Sequence, residues 1–293
     1  MLEGLEKETL TAGLLGERVF VPYLDLGDLE SVERCAKELL SNCESIDSLV
    51  LNAGLQYTGS SEARFSAQGF ELTFAVNHLG HQVLTQYLIP LLDKGFKPRV
   101  VITSSEVHNP TSSGGRIGSP AHLGSLELLG SVSVSTMNEK VKKFDADKAY
   151  KDSKLCNVLF ARELAKRLFC RNTPMPVIAW APGLVIPRTD KGFFRHSRRY
   201  NELGQRMFSF VARDLLRITE SPEKAGRILK DLAINSDYNS DGFNYYSNRL
   251  VQPGIHIFKS ADISEEASDD SLAKRLWDKS ASFAKLPSSN GFL

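Results

Sequence analysis

Tyr150 and Lys154 stand four residues apart in the stretch Ala149-Tyr150-Lys151-Asp152-Ser153-Lys154. On a helix that spacing puts both side chains on one face, one turn apart. A free phenol ionises near pH 10 and carries protons poorly at neutrality. An ammonium held beside it favours the phenolate and draws the ionisation toward the working range. The pair therefore predicts a tyrosine that donates or accepts a proton. Tyr-x-x-x-Lys also arises by chance in many chains of this size, so its meaning rests on what accompanies it.

Other groups invite chemistry and are better read as packing. His78 and His81 share a helix face, but no third ligand is in sight, so core packing and hydrogen bonding are expected and no metal. Cys35, Cys43, Cys156 and Cys170 show no Cys-x-x-Cys spacing, which argues against a zinc site or a disulfide framework and for a reducing compartment. Cys156, close to the Tyr–Lys pair, is read as a small buried hydrophobe. Asp269 and Asp270 read as solvated helix charges. Arg195, Arg198, Arg199 and Arg206 alternate with Phe193, Phe194, Phe208 and Phe210, a pattern of either a membrane-surface helix or a lid over a site.

The elements that must position the pair follow from periodicity. Ala149–Leu168 is rich in helix formers. Residues 19–26, 47–51, 99–104, 177–180 and 242–246 read as strands, the last being the final strand. Residues 30–40, 67–92 and 223–233 read as helices, and Ser264 is expected to cap one running to about Leu286. Strands alternating with helices predict an α/β fold with a parallel sheet covered on both faces. One domain spans 1–293, with a long insertion at 109–148 whose Thr111–Thr136 part is rich in Ser and Gly. With 42% hydrophobic residues and 24% charged, 293 residues suffice for a sizeable core. A net charge of +1 removes the main argument for nucleic acid. No apolar run is long enough to span a bilayer, and the acidic start Met1–Glu8 matches no secretory or transit signal.

In chain order come Asp25-Leu26, Asn52-Ala53-Gly54, Asn77, Ser104-Ser105, Tyr150 with Lys154, and Pro182-Gly183. This set resembles the short-chain dehydrogenase/reductase superfamily along essentially the whole chain. The resemblance implies a Rossmann-like doubly wound sheet and a tetrad at Asn77, Ser105, Tyr150 and Lys154, with Ser104 as the fallback serine. It implies that Ser105 polarises a carbonyl and Tyr150 passes it a proton. Lys154 would bind the nicotinamide ribose and lower the tyrosine pKa, and Asn77 would order a relay water. Cofactor contacts would fall on Asp25, Asn52, Ala53, Gly54, Tyr150, Lys154, Pro182, Gly183 and Thr189, with NADP(H) expected and NAD(H) as the alternative. Thr189 stands about one residue beyond the usual spacing. Residues 187–220 would form the substrate lid, which is preferred over peripheral membrane contact. Within the superfamily the chain is similar to the light-dependent protochlorophyllide oxidoreductases and their relatives, through Ala149–Asn157, Asn77-His-Leu-Gly-His81, His122–Leu126 and the tail Ser264–Trp277. Leu184 stands where those enzymes carry a cysteine, whereas Cys156 matches their other characteristic one. Asn-Ala-Gly in place of Asn-Ala-Ala leans toward ordinary carbonyl reductases. A small apolar substrate and a homo-oligomer are the partners expected.

Only 24 residues precede Asp25, too few for the first strand, glycine-rich turn, first helix and second strand of a dinucleotide fold. Gly13 and Gly16 read as a helix C-cap and a turn. The expectation is a sheet lacking its first two strands and first helix, from a start at Met1 that is internal, mis-assigned or truncated. Cofactor affinity should fall sharply. Either 19–26 moves in to pair with 48–51, or that edge stays open. The compartment is cytoplasmic, or a plastid if a transit peptide was lost with the N-terminus. A paralogue that kept the tetrad and became a binding protein is the alternative.

Overall fold

The computed structural model describes residues 19–127, 129–130, 137–138, 143–188, 195–200 and 202–286. Helix α1 (Leu29–Asn42) starts where the Asp28 carboxylate accepts the Glu30 N–H. Strand β1 (Ser48–Leu51) leads through a long loop to α2 (Leu72–Phe74). Both carboxylate oxygens of Glu71 cap α2, accepting the N–H groups of Thr73 and Phe74 at 2.9 Å. A π turn (Ala75–Leu79) then joins α2 to α3 (Gly80–Leu92). Next come β2 (Arg99–Thr103), a small ribbon of β3 (Met137–Asn138) and β4 (Lys143–Phe144), α4 (Ala146–Cys170) and β5 (Pro176–Ala181). The chain continues with α5 (Arg195–Arg198), α6 (Glu202–Phe210), α7 (Pro222–Ile234), β6 (Gly242–Gln252), β7 (Ile255–Ser260) and α8 (Asp270–Phe283).

The main sheet runs β1-β2-β5-β6-β7. Its first four strands are parallel and β7 is antiparallel to β6. On one face α3, α4 and α8 close over the strands around Leu155, Phe160 and Trp277. On the other, Leu232 of α7 packs on Val101, Ile178 and Trp180. Central β5 is buried along its whole length, as expected of a strand covered on both sides. This is the Rossmann-like α/β sandwich.

Several expectations need correction. Residues 19–25 form no strand, and Val19, Phe20, Val21 and Tyr23 are exposed. A strand needs a ladder, and β1 pairs only with β2 among the described residues, so its outer edge is the open one. The helix expected from Ala67 starts at Leu72, because the chain turns at Ser66–Gly69, where Gly69 takes φ +82°. Residues 242–246 are not the last strand. The ladder continues to Gln252, turns at Pro253-Gly254, and returns as β7. Ser264 caps only the short 3₁₀ turn Glu266–Ser268, accepting the Ala267 N–H at 3.2 Å. Asp269 and Asp270 are exposed, as expected of solvated helix charges; Asp269 also caps α8 through the Leu272 N–H, and Asp270 pairs with Arg162 at 2.6 Å. The end set for the insertion at residue 148 overlaps α4, which begins at Ala146 under an Asp145 cap.

Candidate functional site

The chemistry-bearing residues gather at the carboxyl ends of the parallel strands, where α/β sheets hold their ligands. Asn52 follows β1, Ser104 and Ser105 follow β2, and Pro182-Gly183 follows β5. A chain of side-chain bonds ties these ends together: Trp180 Nε1–H donates to the Thr103 hydroxyl, which donates to Asn52 Oδ1. Tyr150 and Lys154 come from α4, lying under the same edge.

Lys154 is buried, and its ammonium donates to the Thr103 carbonyl at 3.0 Å. It lies 5.6 Å from the Tyr150 ring centroid. Burial pulls its pKa down to about 8. Tyr150 is half-buried, and its phenol is bonded to the Ser105 side chain. The expected lowering of the tyrosine pKa is not found. Burial raises it, the Ser105 hydroxyl opposes that rise, and Asp147 adds to it. The phenol is thus held protonated, the form that donates.

The structure separates the two serines. The Ser104 hydroxyl is buried and donates to the Lys154 carbonyl at 2.9 Å. Ser105 is half-buried, extended in backbone, and turned toward Tyr150. Asn77 sits fully buried in the π turn. Its Oδ1 accepts the Leu55 N–H at 2.8 Å, and its Nδ2 donates to the Leu55 carbonyl and Ser153 Oγ, each at 3.0 Å. Its carbonyl accepts Nδ1–H of His81 at 3.1 Å. Asn77 therefore clamps the loop after β1 onto α4 with all its side-chain polar atoms. His78 bonds Ser280 and His81 bonds Asn77, both inside the core, with pKa values pulled down by burial to about 3 and 4. Cys156 is buried in the same core, its thiol pushed well up by desolvation.

Asn52 and Ala53 are exposed, and Gly54 lies against the tetrad. A Cβ on Gly54 would stand 3.2 Å from Asn77 Oδ1 and 3.7 Å from Lys154 Nζ, so a larger residue would fit tightly and require Asn77 to give by a few tenths of an ångström. Gly183 takes φ +81°, and a Cβ there would meet the Asn248 carbonyl at 2.9 Å. Asp25 lies outside this network. Its carboxylate accepts the Gly27 N–H and its N–H donates to Ser31. Thr189, Phe193, Phe194, Gly13 and Gly16 lie outside the described residues. The residues that would hold the nicotinamide half of a dinucleotide thus fit it. Among the described residues no glycine-rich strand–turn–helix unit accompanies them.

Residues between the motif positions do work the sequence left unassigned. Lys151 is buried and donates to the carbonyls of Gly115, Ile117 and Ser119. Lys148 donates to the His122 carbonyl at 3.0 Å and to Asp152 at 2.6 Å, and Asp152 accepts the His122 N–H. Burial pushes the Asp152 carboxyl up to about 6, against the pull of Lys148. The insertion is therefore stapled to the same helix that carries Tyr150. Their i, i+3 and i+4 spacing about Lys148 was the available signal. Across the site, α5 rests on the loop after β1: Ser197 donates to the Gln56 carbonyl at 3.5 Å, and Arg64 lies over the Tyr57 and Tyr200 rings. The Val185–Glu220 bridge joins the chain just before segment 187–220 to that segment's last residue. Beyond that neck, Leu203, Met207 and Phe210 are exposed rather than packed.

Comparison with known proteins places this geometry. A family model described as short chain dehydrogenase matches residues 3–116. The chloroplastic protochlorophyllide reductase of Chlamydomonas reinhardtii is 30% identical over 285 residues, covering 96% of this chain and 68% of that protein. This chain belongs to the short-chain dehydrogenase family. The protochlorophyllide reductase of Cucumis sativus, 29% identical over 280 residues, covers 94% of this chain and 67% of its own length is spanned. Among solved structures, a short-chain dehydrogenase/reductase of unknown function from Caenorhabditis elegans, with cofactor, is 19% identical. It aligns with a TM-score of 0.55 over 79% of this chain and 74% of its own. The 3-alpha-hydroxysteroid dehydrogenase of Pseudomonas, complexed with NADH, is 20% identical with a TM-score of 0.52 over 77% and 81%. These two show a shared fold. Family membership makes the chain one of a group of oxidoreductases that use NAD(P)H. The helices of the described residues include none long and apolar enough to cross a membrane.

Proposed function

We propose that this chain is an oxidoreductase that reduces a bulky apolar carbonyl or conjugated substrate with NADPH, Tyr150 delivering the proton. The observation that carries this reading is the convergence of Ser105, Tyr150 and Lys154 at the carboxyl end of β2. When bound, the nicotinamide cofactor supplies the hydride. Lys154 would hold its ribose, with Asn52, Ala53, Gly54, Pro182, Gly183, Thr189 and Asp25 lining the rest. Ser105 would donate a hydrogen bond to the substrate oxygen, drawing charge onto it. Tyr150 then passes its phenol proton to that oxygen. Burial raises the phenol pKa, yet the transfer stays downhill because an alkoxide is a far stronger base than a phenolate. The insertion and segment 187–220 would wall the apolar pocket and exclude water.

Reduction of protochlorophyllide is the second reading, favoured by the names of relatives at 29–30% identity. Those names also favour a plastid, with the cytoplasm as the alternative. A third reading, a binding protein that kept the tetrad, follows from the open edge of β1. Membrane-surface contact through the exposed apolar residues of α6 and assembly into a homo-oligomer belong to the same proposal. A cofactor fluorescence titration decides among these readings, run on this chain and on one extended upstream. Micromolar NADPH binding with turnover that collapses in Tyr150→Phe supports the reductase. Strict dependence on light selects the pigment reading. No NADPH binding by either chain selects the binding protein, and full turnover in Tyr150→Phe sinks the assignment of Tyr150.

A further inference from the structure

We infer that His108 is the positioning residue that fixes the Ser105 hydroxyl against Tyr150, an inference that rests on the role proposed for Ser105. The sheet releases the chain just before that serine. Thr103 is the last residue of β2, and Ser104 N–H makes the final bond to the neighbouring strand, donating to the Trp180 carbonyl at 2.7 Å. Beyond the long 3.5 Å bond by which its own Oγ accepts the Val107 N–H, Ser105 must be held by other means.

His108 supplies them. Its Nδ1–H donates to the Ser105 carbonyl at 2.7 Å, shorter than the 3.3 Å bond that its own backbone N–H makes to the same oxygen. Its Nε2 accepts the Ser264 N–H at 3.4 Å. A carbonyl can only accept and an amide N–H can only donate, so the ring proton is fixed on Nδ1. The ring is buried and packs edge-on against Tyr245, centroids 5.2 Å apart. Burial lowers its pKa to about 4, so it stays neutral in this one tautomer at physiological pH. Glu106, the residue after Ser105, reinforces the anchor: it accepts from Ser247 Oγ at 2.5 Å and from Arg249 at 3.0 Å. One imidazole thereby couples the Ser105 backbone to β6 and to the segment before α8, elements remote in sequence. No other described side chain hydrogen-bonds the Ser105 carbonyl. His108 reaches neither Tyr150 nor Lys154 in this network, so its effect would pass through Ser105.

The test follows NADPH-linked reduction of phenanthrenequinone, a flat apolar dicarbonyl, in a double-mutant cycle. His108→Phe should lower kcat about 30- to 100-fold with KM within about threefold, the scale of a misplaced catalytic group. His108→Asn, whose amide N–H can reach the same carbonyl, should recover to within about tenfold of the parent. Ser105→Ala should cost about 10²- to 10³-fold, and adding His108→Phe to it should cost less than about threefold more. An unchanged kcat in His108→Phe, or an equal loss in both backgrounds, overturns the inference while leaving the reading of Ser105 intact. An unchanged kcat in Ser105→Ala, or no turnover by the parent chain, overturns the reading and the inference with it. Nitrogen NMR of the parent chain gives a measurement that no variant's folding can compromise. A proton on Nδ1 supports the inference, and one on Nε2 overturns it.

Discussion

Two adjacent serines with opposite roles give the sharpest test of the site. Ser104→Ala removes one neutral buried hydrogen bond, from its hydroxyl to the Lys154 carbonyl at 2.9 Å. That carbonyl lies inside α4 and keeps its helical partner, so no acceptor is left unpaired. The loss is then about 1 kcal/mol, equivalent to a fall of about 2 °C in Tm for a chain of this size. The effect on kcat should stay within about threefold, because Lys154 keeps its bond to the Thr103 carbonyl. Ser105→Ala removes the hydroxyl bonded to Tyr150 from a half-buried position. Stability should barely move, whereas loss of a hydrogen bond that strengthens in the transition state costs about 3–4 kcal/mol, or about 10²- to 10³-fold in kcat. Differential scanning fluorimetry and steady-state turnover of both variants read the two effects separately. A Ser104→Ala variant without turnover beside a fully active Ser105→Ala would refute the reasoning.

Acid should destabilise the fold before it touches most carboxylates. His78, His81 and His108 are held neutral by burial, with pKa values near 3, 4 and 4 against an unperturbed 6.5. Below pH 6.5 the unfolded chain takes up protons the folded chain refuses, so stability falls as pH drops toward 4. At pH 5 each contributes up to about 2 kcal/mol of that loss. Urea midpoints measured between pH 7 and 5 should fall steeply, and a flat profile contradicts the buried neutral assignment. Lys151→Met should free the insertion, since carbonyls of Gly115, Ile117 and Ser119 lose their common donor at about 1–3 kcal/mol for each group left buried. Limited proteolysis should then cut within 109–127 at rates at which the parent chain resists, and equal resistance would contradict the staple.

Periodicity made most elements legible, because burial alternates with a helix or strand period whatever the rest of the chain does. The termini of α1, β2, β5 and α7 fall within a residue or two of expectation. Failures came where a partner, rather than local preference, decides. Val19 to Leu26 has strand composition yet forms no strand, although the outer edge of β1 is open among the described residues. The β6–β7 hairpin is marked in the sequence by Pro253-Gly254, but an antiparallel return lies outside the strand–helix alternation that sets the rest of the sheet.

The sequence by itself determined the order of the candidate groups, the helix that carries Tyr150 and Lys154, and the parallel strands that carry the rest. Spacing along a single element is local, so i, i+4 is enough to align two side chains. Which serine faces the tyrosine is a different kind of question. Ser104 and Ser105 are chemically identical neighbours, and only the end of β2, the anchors on Glu106 and His108, and the helix beneath them turn one inward and the other toward Tyr150. The phenol's proton affinity was likewise out of reach of the motif, because burial raises it and the Ser105 hydroxyl opposes that rise, and both come from surroundings brought together only by folding.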